Sequence, residues 1–164
     1  MARAGTTNEV REMFKRSLPA IVAVAALIAA PATASAKHSY KIGFQKDCPE
    51  YTCTGTLLDR SGTPIPGTTV SSTQTPQWQD GDLVGYSAVE TFTRHGKGFT
   101  MNLLGVADYG VDPTVTDVVG VVARGSWLGR PLAGALVRGS AARVGGTTFR
   151  GVLRITPYVR TRPR

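Results

Sequence analysis

The stretch LVGYSAVETFTRHGKGFTMNLLGV, residues 83–106, constrains the fold more than any other part of the chain. In Leu83–Arg94 the residues Val84, Tyr86, Ala88 and Phe92 fall on one face, and Gly85, Ser87, Val89, Thr91 and Thr93 on the other. That is the period of two of a β-strand, not the 3.6 of a helix. RHGKG (94–98) then supplies glycines for the positive φ angles of a tight hairpin loop, and residues 99–106 read as the returning strand.

The same reading extends over the chain from Lys37 onward. Strands are predicted over residues 39–44, with Tyr40, Ile42 and Phe44 on one side, and over Thr52–Leu58, ended by the turn Asp59-Arg60-Ser61-Gly62. A further strand over 69–73 is bounded by prolines, and QTPQWQDGD (74–82) reads as a loop. After DYGVDP (108–113), residues 116–124 carry Val118, Val119, Val121 and Val122, the mark of a strand buried on both faces or nearly so. Residues 132–142 and Thr148–Thr156 complete about eight strands, joined by Val144-Gly145-Gly146-Thr147. Gly134, Gly139 and Gly151 lie inside strand-like runs, where glycine marks bulges or the sharp bends that close a small barrel. With hardly any helical periodicity, the fold class is all-β: a small antiparallel barrel or a closed sandwich.

The N-terminal region reads differently. From Met13, a basic pair (Lys15, Arg16) precedes an apolar run over 18–30 and the small residues Ala34-Ser35-Ala36. This is the layout of a secretory signal, with cleavage expected after Ala36 and Met13 as an alternative start that would give a cleaner basic region. The apolar run falls short of the roughly 20 residues of a spanning helix, so no transmembrane segment is expected in the mature chain. Three regions follow: a signal peptide at 1–36, one β-barrel domain at 37–157, and a basic tail, RTRPR-terminated, at 158–164. The protein is thus expected to be extracellular or periplasmic.

In that compartment the chain's two cysteines, Cys48 and Cys53 in DCPEYTC, read as a disulfide staple. Two thiols cannot close a four-ligand zinc site, and four intervening residues do not make a catalytic C-x-x-C. No metal and no cofactor is expected. From Lys37 on, 15 Lys+Arg face 9 Asp+Glu, a net charge of +6. Such a balance suits anionic envelope polymers or lipid headgroups, or serves only solubility. Arg150 and Arg154 share a strand face without stacking aromatics beside them, so specific nucleic-acid binding is not expected.

Catalytic motifs are sparse. Ser126 and Ser140 lack the glycine spacing of a nucleophile elbow, and the two histidines are His38, near the mature terminus, and His95, a solvated turn residue. Asp80-Gly81-Asp82 reads as a turn, not as a calcium loop. Glu90 interrupts the apolar face of its strand and is the one candidate catalytic residue. If that face lines a barrel, a carboxylate stands in a dry cavity, where acid–base use becomes available. The favoured reading is the opposite face inward and Glu90 solvated. Trp78 and Trp127, read as loop residues, are candidate ligand-binding aromatics at a barrel mouth, or caps on the core.

Three segments carry a family resemblance. TGTLLDRSGTPIPG (54–67) is similar to the second strand and turn of the allene oxide cyclase and dirigent-like barrel family, and FTMNLLGVAD (99–108) to its hairpin return strand. GRPLAGA (129–135) resembles the family's G-R-F-A-G-A signature, with Pro131 as an extra residue; the usual Gly-Gly-Thr before it is absent, and Gly145-Gly146-Thr147 occurs only later. The resemblance implies an eight-stranded calycin-like barrel with a central cavity, holding an apolar reactive molecule. It transfers no catalytic residue to a numbered position here. The expected function is therefore a secreted, non-catalytic binder of a small apolar molecule. The alternatives are a dirigent- or cyclase-like enzyme and a surface protein binding polyanions.

Overall fold

A computed structural model of the protein describes residues 39–157. The signal-peptide reading (1–36) and the basic tail (158–164) lie outside the described residues. The strands are β1 (Tyr40–Asp47), β2 (Thr52–Leu58), β3 (Thr68–Asp80), β4 (Leu83–Arg94), β5 (Lys97–Asp108), β6 (Val115–Trp127), the two-residue β7 (Arg130–Pro131), β8 (Leu136–Gly145) and β9 (Thr148–Thr156). All pairings are antiparallel, and no helix occurs among the described residues.

Each long strand pairs with its neighbour in sequence, and β9 returns to pair with β1 from Tyr40↔Ile155 to Asp47↔Thr148. Because β5 also pairs with β6, the sheet closes: the fold is an eight-stranded barrel, with β7 as one outer strand beside the end of β6. The sandwich alternative is thereby excluded. Alternation places Ile42 and Phe44 from β1, Leu57 from β2, Val70 from β3, Ala88 and Phe92 from β4, and Met101 and Leu103 from β5 inside. Val137 from β8 and Leu153 and Ile155 from β9 close the same core.

Four predicted segments are corrected. Residues 74–80 are not loop: they extend β3, and a register shift between Pro76 and Trp78 takes up the proline, which has no N–H to give the ladder. The turn that remains is Gly81 at φ 57°, between Asp80 and Asp82. Second, residues 132–135 form a turn, not strand: Leu132 and Ala135 are buried as a plug on one end of the barrel, held by Leu132 N–H to Gly125 O and Val122 N–H to Ala135 O. Third, β6 is not buried on both faces. Val122 is buried, but Val119 and Val121 are half-buried on the outer wall. Fourth, the hairpin loop at 94–98 shrinks to His95-Gly96, with φ 50° and 73° and Arg94 paired to Lys97. Both central residues have the left-handed backbone of a type I′ turn.

Cys48 and Cys53 are disulfide-bonded across the β1–β2 connection, and Cys53 is fully buried. A ring this short removes little unfolded-state entropy, about 2 kcal/mol. The double replacement Cys48→Ala, Cys53→Ala is expected to lower stability by that amount in urea unfolding, with the barrel intact.

Candidate functional site

The plug leaves one end of the barrel packed and the other end hollow. Phe92 and Phe99 fill the packed end, and Trp127 meets Phe99 edge-on with centroids 5.5 Å apart. Toward the other end lies a cavity of ≈ 90 Å³. Phe44 and Phe149 wall it beside Val84, Ala107 and Val118, and exposed Glu50, Tyr51 and Tyr109 stand at its mouth.

The cavity's charged floor comes from two distant strands. On β1 the inward alternation of Ile42 and Phe44 continues to Lys46, which is buried. On β4 it carries Glu90, between Ala88 and Phe92. Strands β2 and β3 separate β1 from β4, so the pair spans the lumen: Lys46 Nζ donates to Glu90 Oε1 at 2.9 Å, with side chains 8% and 2% exposed. The ammonium also lies 5.4 Å from the centroid of the Phe44 ring, a cation–π contact. Small residues make room beneath it, Gly55 opposite Lys46 and Ser72 opposite Glu90. The Ser72 hydroxyl is buried and has no hydrogen-bond partner among the described residues.

Beside this pair, Tyr86 packs its ring directly over Gly105, where any Cβ would collide with it. That close approach lets its hydroxyl share a 2.6 Å hydrogen bond with Thr116 on β6. Burial, partly offset by the Thr116 bond and reinforced by the nearby Glu90 carboxylate, raises the Tyr86 pKa above the ordinary 10.0. The folded phenol therefore keeps its proton where the unfolded one loses it. This contribution is intact below pH 10.0 and is lost as pH rises through the folded value. Tyr86→Phe is expected to cost about 0.5–1.5 kcal/mol at neutral pH. Its stability should decline less steeply above pH 10 than the parent's in pH-dependent thermal unfolding.

Sequence reasoning singled out Glu90 but favoured its solvation. The structure overturns that: Glu90 is inside, and it is paired. The partner, Lys46, was missed, although carrying the Tyr40–Ile42–Phe44 alternation two residues further reaches it. Tyr51 and Tyr109 were also missed, because nothing in DCPEYTC or DYGVDP distinguishes a rim aromatic from a loop aromatic. Of the two tryptophans, neither lines the cavity. Trp78 lies in β3, over Gly85 on the outer wall, and Trp127 ends β6 at the packed end. His95 is exposed at the β4–β5 turn, its N–H donating to Gly67 O. Ser140 is exposed on β8, and Ser126 is half-buried near the end of β6.

Chemically the floor offers both polarities. Lys46 has N–H donors beyond the one given to Glu90, and the second carboxylate oxygen of Glu90 remains an acceptor. No family model, no curated protein and no solved structure matches the chain.

Proposed function

We propose that the protein is a small-molecule-binding barrel that takes an amphipathic ligand end-on. The observation that carries this reading is the Lys46–Glu90 pair, buried across the lumen at the floor of a cavity with an aromatic mouth. A wholly apolar ligand would leave the remaining Lys46 N–H donors and the second Glu90 oxygen facing it without a hydrogen bond, which is costly. A hydroxyl, amide or carboxylate head would meet Lys46 and Glu90 directly. The volume of ≈ 90 Å³ is well under the roughly 300–1,000 Å³ of pockets that engulf a drug-sized molecule. The ligand therefore inserts its head and leaves its body between Tyr51 and Tyr109. Export to an oxidising compartment, with cleavage after Ala36, belongs to the same proposal, and the Cys48–Cys53 disulfide supports it.

Native mass spectrometry of gently purified protein tests the binding. The expected result is a retained amphipathic molecule that is lost when Lys46→Met and Glu90→Leu are combined, a double variant that keeps the barrel packed. Equal retention by that variant would refute the role of the floor. A second reading, a dirigent- or cyclase-like enzyme, draws on the inward Glu90. It expects the retained molecule to be chemically changed by the parent and unchanged by Glu90→Gln.

A further inference from the structure

The outer wall of the barrel carries a second feature, independent of the cavity. Lys41 on β1 is paired opposite Arg154 on β9, and Arg154 opposite Arg138 on β8. Three exposed cations thus stand in one cross-strand row. Like charges at directly opposite positions destabilise a sheet. The row continues into aliphatics: Arg138 lies opposite Val119 on β6, and Val119 opposite Leu104 on β5. One step along the strands, Val121 lies opposite Leu136. Leu104 is 40% and Leu136 37% exposed, so the sheet shows water an aliphatic field bordered by the cation row.

We infer that this wall docks on an anionic lipid bilayer. An anionic surface relieves the repulsion within the row, and the boundary between headgroups and acyl chains receives the aliphatic field next to it. A soluble polyanion would neutralise the cations but leave Leu104, Val121 and Leu136 in water. A second copy facing the same wall would set cations against cations, with Asp117 the one carboxylate on this part of β6.

Cosedimentation with vesicles decides it. The full chain is expected to bind phosphatidylcholine vesicles containing phosphatidylglycerol and to ignore pure phosphatidylcholine, with binding falling as salt rises. The triple variant Lys41→Gln, Arg138→Gln, Arg154→Gln should lose on the order of 100-fold in partition, about fivefold per cation. Leu104→Ser with Leu136→Ser should weaken partition at least about tenfold, since each loses several buried CH₂ groups. Circular dichroism and urea unfolding identify any variant that fails to fold, and the single Arg138→Gln, expected to lose about fivefold, then replaces the triple. Equal binding to neutral vesicles, no effect of the cation variants, or no effect of the aliphatic variants would each overturn the inference. So would a dimer, seen by light scattering, that the aliphatic variants dissociate, or binding to a soluble polyanion without binding to vesicles.

Discussion

Replacing Lys46 with methionine is expected to destabilise the barrel by about 3–5 kcal/mol, because Glu90 is left as a buried, uncompensated carboxylate. Its side chain is 2% exposed, and the ammonium 2.9 Å away is the partner that compensates it. Adding Glu90→Leu to Lys46→Met should recover most of that loss, since an apolar pair of similar volume requires no desolvation of charge. Urea unfolding of the two single variants and the double gives the coupling directly. If Lys46→Met costs less than about 1 kcal/mol, the value of an exposed ion pair, then water reaches the pair and the floor is not dry. The double variant is also the one that separates folding from binding, because it removes the polar floor without removing the core.

Phe92→Ala is expected to be comparably severe, about 3–5 kcal/mol. Phe92 is fully buried, with ring centroids 5.8 Å from Phe44 and 5.6 Å from Phe99, and Phe99 continues to Trp127. The four rings run from the wall of the cavity to the packed end. Truncation in the middle forfeits burial and two aromatic contacts, each worth about 0.5–1.5 kcal/mol beyond its area. Phe92→Leu, which refills most of the space, should cost distinctly less. Equilibrium denaturation with an unchanged m-value checks that the loss comes from the folded core.

The strands β2 and β4 were legible in the sequence to the residue, because turn residues bound both and Glu90 alone breaks the apolar face of β4. The barrel was legible only as one of two alternatives, beside a closed sandwich, since the choice depends on β1 meeting β9 and β5 meeting β6, and no local pattern encodes the pairing of strands as far apart as β1 and β9. Local rules misread β3 for a different reason. Pro76 forbids one ladder hydrogen bond, yet a bulge beside Trp78 absorbs the defect and the strand runs on. They misread residues 132–135 because LAGA is apolar in a strand or in a plug, and only the hydrogen bonds to Gly125 and Val122 decide between them. At the site, Glu90 stood out because a carboxylate on an apolar face breaks a pattern. Lys46 did not, because it lies two residues past Phe44, where the apolar alternation of β1 stops.

The pairing of Tyr40 with Ile155 sets the first and last strands of the barrel side by side. Every other pairing in the ring joins strands that follow one another in the chain, apart from the small outer β7. The ring therefore has no privileged starting strand. Joining residue 157 to residue 39 through a short flexible linker and opening the chain at His95-Gly96 would leave all eight staves and the Lys46–Glu90 tie in place. Such a permutant would turn the β1–β9 seam into a local hairpin and make β4–β5 the long-range closure instead. The loop-closure entropy of folding would move from one seam to the other, while the finished barrel stayed the same.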